Sequence, residues 1–170
     1  EMPDLPPTPA VSGVQPIRRI GEDRVLQERK QLRVMVVDDH AVVRSGVRAL
    51  LEAEDDLSVV GEAATVVEAI DRAARLAPDV IVMDVRLADG SGIEATRAIR
   101  AERPTTQIIM LTSYADDQAL FAAIMAGAAG FVLKRITEDD LVDAIRLVGE
   151  GKSLRDPAVT GGLLDRLRKH

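Results

Sequence analysis

The sequence predicts an α/β fold in which five strand-helix units surround a parallel sheet, and three observations carry that reading. From Arg33 onward, short runs rich in β-branched residues alternate with stretches of helical periodicity. Most of the runs are near-continuously apolar, as strands covered on both faces must be. A chain of 170 residues with 46% hydrophobic residues can fill one sizeable core with some chain to spare, so two large domains are not expected.

The strands are predicted over 34–37, 57–60, 80–83, 108–111 and 131–133. Between them four helical stripes each offer one core-facing side: Val43, Val47, Leu50 and Leu51; Val66, Ala69, Ile70 and Ala73; Leu120, Ala123 and Ile124; Leu141, Ala144, Ile145 and Val148. Thr137, followed by Glu138, Asp139 and Asp140, supplies a capping hydroxyl and first-turn acids for the last of these helices. Asp156 and Pro157 open a further helix, where Val159, Leu163, Leu164 and Leu167 share a face against Arg166, Arg168 and Lys169.

The two ends of the chain differ from this centre. Five of the eight prolines fall in the first sixteen residues, among small and polar neighbours too weakly apolar to offset the entropy of ordering, so 1–16 is read as disordered. Residues 22–31 read as a short polar helix or linker. The organisation is thus an extension over 1–31, one domain over 32–150, and a linker with an amphipathic helix over 151–170.

Composition excludes several kinds of chemistry. With no cysteine there is no disulfide, thiolate metal site or cysteine nucleophile, and two histidines leave little for an imidazole cage. Any metal is expected on oxygen ligands. No run of about eighteen apolar residues and no basic-then-apolar leader is present, which predicts a cytosolic protein that does not enter a membrane. The net charge of −6 is unevenly spread: residues 32–150 carry 21 acids and 12 bases, and 151–170 carry two acids and five bases. An acidic centre with 2% aromatics argues against a nucleic-acid platform.

In an open parallel sheet the working site lies beyond the carboxyl ends of the strands. There the first run leads into Asp38, Asp39 and His40, the third ends in Asp84, the fourth in Thr112 and Ser113, and the fifth in Lys134, the only lysine within 32–150. Three crowded carboxylates repel one another unless a cation neutralises them, and a magnesium ion, which takes few carboxylates and completes its shell with phosphate oxygens, suits the set. Asp84 would then be ligand and nucleophile, with phosphoryl charge met by the metal, the Thr112 hydroxyl and the Lys134 ammonium. Taken singly, each of these residues is more often a turn former or a solvated charge. Their placement after separate apolar runs, in the order a sheet requires, favours function. His40 is read as a surface or packing residue without a chemical role.

The stretches VMVVDDHAVVRSGVRALL, VIVMDVRLADGSGIEATRAIR, IIMLTSYADD and AGAAGFVLKRI resemble the receiver domain of two-component response regulators, particularly transcription factors of the NarL/FixJ (LuxR-type) group, over about 32–150. The resemblance implies a flavodoxin-like (βα)5 three-layer fold with sheet order 2-1-3-4-5. It implies Asp84 as phosphoacceptor, Asp39 as a direct Mg2+ ligand, Asp38 as a second acid acting mostly through water, and the Arg86 backbone carbonyl as another ligand. Thr112 would be the switch hydroxyl, Lys134 the phosphate-binding lysine and Phe131 the switch aromatic. Tyr114 and Arg86 are expected at the rim, where bulk could shield the phosphorus from water. The implied partners are a sensor histidine kinase, a second copy of the chain on phosphorylation, and DNA only through a carboxyl-terminal helix-turn-helix domain, for which no residues remain after His170; the 151–170 stretch resembles the link to such a domain. Arg135 stands where many receivers have proline, and Ala88 where LPDG-type loops have one, so both turns are expected to be less fixed.

Other readings fit less well. An aspartate-nucleophile phosphatase would carry an acid two residues after Asp84, where Arg86 stands. A flavodoxin-like cofactor binder needs a glycine- and hydroxyl-rich loop after the first strand, and Asp38 and Asp39 would repel a phosphate there. Neither a GxxxxGK[ST] loop nor a GxSxG elbow occurs. The nearest rival is a receiver that dimerises without phosphorylation.

Overall fold

A computed structural model describes residues 31–112, 117–134 and 138–152. Residues 1–30 of the expected extension, Ser113, Tyr114, Arg135, Thr137 and residues 153–170 of the expected linker and amphipathic helix lie outside these residues.

Five strands, β1 (Leu32–Val37), β2 (Leu57–Ala63), β3 (Val80–Asp84), β6 (Gln107–Thr112) and β7 (Gly130–Leu133), form one parallel sheet in the order β2-β1-β3-β6-β7. Counting these five alone, this is the 2-1-3-4-5 order. Two short strands, β4 (Arg86–Leu87) and β5 (Gly90–Ser91), add an antiparallel hairpin just after β3 that the sequence reading did not foresee. The helices are α1 (Ala41–Glu52), α2 (Val66–Leu76), α3 (Gly92–Glu102), α4 (Asp117–Met125) and α5 (Glu138–Gly149).

Side chains alternate across each strand, so every strand feeds two cores. Val34, Val36, Val80, Val82, Ile109 and Leu111 pack with Leu51 of α1 and with Leu141, Ala144, Ile145 and Val148 of α5. Met35, Val37, Ile81, Met83, Ile108 and Met110 pack with Ala69 and Ala73 of α2, Ala95 and Ile99 of α3, and Ala123 of α4. The three layers follow from this division. β2 runs three residues beyond the predicted end at position 60. It lies at the sheet edge, is mostly half-buried, and slips register opposite Val34 and Met35.

Local chemistry fixes the helix ends. The Thr65 side chain accepts from the Glu68 amide, and Glu68 in turn accepts from the Ala64 amide, a reciprocal cap at the start of α2. Ser91 caps α3 by accepting from the Ile93 amide. α3, for which the sequence offers no stripe of large apolar residues, buries Ala95, Thr96 and Ile99; the Thr96 hydroxyl is satisfied by the Gly92 carbonyl at 2.8 Å.

α5 is tied to the turn between α1 and β2. Arg146 bonds Asp56 through Nε at 2.8 Å and Nη2 at 2.9 Å, and Glu54 through Nη2 at 2.7 Å. The Arg146 hydrogen bonds hold the Asp56 carboxyl below its ordinary range, against a smaller upward push from burial. A depressed folded pKa gives stability that is full above the unfolded value and is lost as pH falls through the folded one. Arg146→Ala is therefore expected to cost about 1 kcal/mol near neutral pH, since the cluster is partly open to solvent. The cost should shrink below about pH 4, as read from urea unfolding curves across pH.

Candidate functional site

The carboxyl ends of β1, β3, β6 and β7 bring the sequence-predicted residues together. Asp38 directly follows β1, Asp84 is the last residue of β3, Thr112 ends β6, and Lys134 follows β7. Because β1 and β3 are neighbours, the two carboxylates face one another across one strand spacing. Lys134 reaches back over β6 from the far strand: its backbone amide donates to the Thr112 carbonyl at 2.7 Å, carrying the β6–β7 ladder one residue past β7. Its Nζ lies 3.0 Å from Asp38 Oδ2 and 3.1 Å from Asp84 Oδ2. The Asp38 side chain is 2% exposed and that of Asp84 10%.

Burial of this kind penalises charge, and the three groups respond differently. Burial and the adjacent Asp38 charge push the Asp84 carboxyl above the ordinary aspartate range, and Lys134 and the Arg86 amide offset only part of that. Burial also works to raise Asp38, but the His40 amide and the Lys134 ammonium outweigh it and hold Asp38 below the ordinary range. For Lys134, burial works downward and the two carboxylates outweigh it, so the ammonium stays charged.

Asp39 joins this group from the exposed side. Asp38 Oδ2 and Asp39 Oδ1 are shut off from solvent without a well-aligned hydrogen bond. Each instead faces a nitrogen at ion-pair distance, Lys134 Nζ at 3.0 Å and His40 Nδ1 at 2.9 Å respectively. Carboxylate oxygens of Asp38, Asp39 and Asp84, with a ring nitrogen of His40, all lie within 4.8 Å of one another. Opposite ligands of a six-coordinate ion with bonds of about 2.1 Å lie about 4.2 Å apart, so the group is near, and slightly wider than, the span such an ion needs. Oxygen donors of this number and charge fit a hard divalent cation. The imidazole was not expected here: Nδ1 is also 3.2 Å from Asp38 Oδ1, which accepts from the His40 amide at 2.8 Å.

The loop after Asp84 is pressed against the site. The Gly92 amide donates to the Val85 carbonyl at 2.7 Å, and a Cβ at Gly92 would lie 1.9 Å from the Asp84 carbonyl oxygen. Arg86 sits on β4 with an exposed side chain, and its amide bonds the Asp84 carboxylate. The turn that lacks a proline at Ala88 is tethered by Asp89, whose carboxylate accepts from the Val66 and Val67 amides at 2.7 and 3.3 Å, at the start of α2. Phe131, one residue into β7, is half-buried against the second core. Tyr114 lies outside the described residues.

Sequence reasoning missed Arg44, Glu62, Asp89 and Gly92. Glu62 is the one charged residue in the β2 run LSVVGEA, a sign that it needs a partner but not of which residue that is. No helix among the described residues is long and apolar enough to cross a membrane.

A buried carboxylate pair bridged by one lysine stands at the carboxyl edge of a parallel five-stranded sheet, with acidic oxygens that can take a hard cation and an ammonium that can meet an anion. Comparison with known proteins shows the family. Residues 34–146 match the family model of the response regulator receiver domain. The DNA-binding transcriptional activator DevR/DosR of Mycobacterium tuberculosis is 46% identical over 137 residues, covering 81% of this chain and 63% of that protein. Response regulator protein VraR of Staphylococcus aureus is 38% identical over 138 residues, covering 81% and 66%. The chain thus spans a little under two thirds of these relatives. Among solved structures, a LuxR-family two-component response regulator from Aurantimonas sp. SI85-9A1 superposes with a TM-score of 0.72 at 35% identity, covering 82% of this chain and 99% of that one. The signal receiver domain of a NarL response regulator from M. tuberculosis gives 0.70 at 30%, covering 72% and 99%. The chain belongs to the response regulator receiver family, in its NarL/FixJ branch.

Because the Asp84 carbonyl leaves no room for a Cβ at Gly92, Gly92→Ala must displace backbone beside the site. The expected loss is about 2 kcal/mol or more, read as a lower urea midpoint with an unchanged slope; an unchanged midpoint would mean that the loop yields freely.

Proposed function

We propose that this receiver is a phosphorylation-dependent switch in which Asp84 takes a phosphoryl group from a sensor histidine kinase in the cytoplasm. The observation that carries the reading is Lys134 Nζ within 3.1 Å of both buried carboxylates. A carboxylate oxygen of Asp84 attacks phosphorus, the bond from phosphorus to the donor's imidazole nitrogen breaks, and the imidazole leaves with the electron pair and takes up a proton. The Lys134 ammonium then exchanges part of its contact with Asp84 for the phosphoryl oxygens. Thr112, at the end of the neighbouring strand, supplies a hydroxyl to the same group.

The residues that would hold Mg2+ are Asp38, Asp39, Asp84 and the backbone carbonyl of Arg86. When bound, the ion supplies positive charge for the carboxylates and for the phosphoryl oxygens. Catalysis by the chain itself is limited to its own phosphorylation and dephosphorylation.

Drawing Thr112 toward the phosphoryl group biases an existing two-state equilibrium at α4, β7 and α5, with Phe131 as the side chain that follows. The readout is dimerisation of the receiver and, through a helix-turn-helix output domain of the kind such regulators carry, control of DNA binding and transcription. The description of DevR/DosR as a DNA-binding transcriptional activator supports this assignment.

The test is the intact mass after incubation with a small phosphodonor and magnesium. One phosphoryl group is expected on the parent and none on a folded Asp84→Asn variant; equal labelling would overturn the assignment. Asp39→Ala is expected to weaken magnesium binding by more than the roughly 10- to 100-fold typical of residues that merely support a ligand, and far more than His40→Ala. Equal losses would give His40 a share in the site.

A further inference from the structure

Arg44 lies one turn into α1, and its guanidinium joins two acceptors on different elements. Nη1 donates to the backbone carbonyl oxygen of Asp38 at 2.6 Å, and Nε donates to Glu62 Oε1 on β2 at 3.2 Å. Glu62 is itself a fixed anchor. Its other oxygen accepts from Arg48 Nη1 at 2.6 Å, and its backbone carbonyl accepts from Arg72. The Arg48 hydrogen bond, opposed by burial and helped by Arg44, holds the Glu62 carboxyl below its usual range, so the anchor remains charged.

This arrangement acts where the sheet stops restraining the chain. The amide of Asp38 makes the last backbone contact with β2, donating to Ala63 at 3.1 Å. Beyond it the peptide between Asp38 and Asp39 has no strand partner to orient it. The Asp38 carbonyl belongs to that peptide, and the planar guanidinium can fix its direction because Glu62 fixes the guanidinium.

We infer that Arg44 is a positioning residue for the cation site: held by Glu62, it orients the peptide joining Asp38 and Asp39 so that both carboxylates face Asp84. The inference rests on the reading of these aspartates as Mg2+ ligands. It can be separated from a purely electrostatic role because the two effects have opposite signs. A guanidinium beside a cation site repels the cation, so loss of its charge alone would tighten binding. Loss of its positioning role would weaken it.

The experiment is calorimetric titration of the full chain with Mg2+ at fixed pH and ionic strength, with circular dichroism to establish that each variant is folded. Arg44→Gln is expected to bind Mg2+ about tenfold more weakly than the parent. Unchanged or tighter binding overturns the inference. Arg44→Lys retains the charge but offers one ammonium to two acceptors, and should fall between the parent and Arg44→Gln. It carries the test if the glutamine variant does not fold, and affinity equal to the parent then refutes the inference. Glu62→Gln should weaken binding in the same direction, and the double variant should bind no more weakly than Arg44→Gln alone, since the anchor then has nothing to hold. Additive losses would overturn the role of Glu62 as anchor. A parent that binds no Mg2+ at all overturns the metal reading and this inference with it, whereas a binding parent with an equally binding Arg44→Gln overturns the inference alone.

Discussion

Two buried carboxylates and one ammonium set the terms for the rest of this molecule. Asp38 and Asp84 stand at the ends of adjacent strands with their side chains largely buried, an arrangement that two negative charges resist. Lys134 makes it tolerable by lying within 3.1 Å of both. Removing one partner from a buried ionic cluster commonly costs about 3–5 kcal/mol, and partial access of solvent to Lys134 lowers that figure here. One cation among three aspartates still leaves the cluster short of positive charge. In the proposed switch that shortage favours a divalent ion, and the lysine gives an incoming anionic group a partner.

A cluster under such repulsion works only if its backbone cannot relax. On the Asp84 side the chain is packed so closely that only glycine fits at position 92, and the hairpin that follows is clipped by Asp89 to the start of α2. On the Asp38 side the Arg44 fork and its Glu62 anchor do the corresponding work. Neither brace touches the reacting atoms. Both connect the site to helices that the sheet order alone would leave independent of it.

The sheet and four of the helices were legible because their signal is large and repetitive: apolar β-branched runs buried on both faces and stripes such as Leu141, Ala144, Ile145 and Val148. The site was legible for a related reason, since each of Asp38, Asp84, Thr112 and Lys134 ends a run. α3 was harder to see because it packs with Ala95, Thr96 and a close-approaching Gly92, small residues that leave no stripe of large apolar side chains. The end of β2 was placed short because an edge strand is half-buried and its Gly61 and Glu62 look like a break. The braces were illegible for a third reason. Arg44 and Glu62 are eighteen positions apart, and Asp89 is 23 from the amide it caps; nothing local in a sequence marks a pair whose partnership is created by the fold. The same holds for the ring of His40, whose position against Asp39 depends on a turn of the chain rather than on its residue type.

The most direct measurement is the titration of the Asp38 and Asp84 carboxyl groups in the metal-free chain, followed by carbon-13 chemical shifts against pH. Burial and the Asp38 charge act on Asp84, while the His40 amide and Lys134 hold Asp38 ionised, so the two should separate, with Asp84 losing its proton above the ordinary aspartate value of about 3.9 and Asp38 below it. Two carboxyls titrating together at the ordinary value would mean that the groups are neither buried nor coupled as described, and the electrostatic basis of the site would fall.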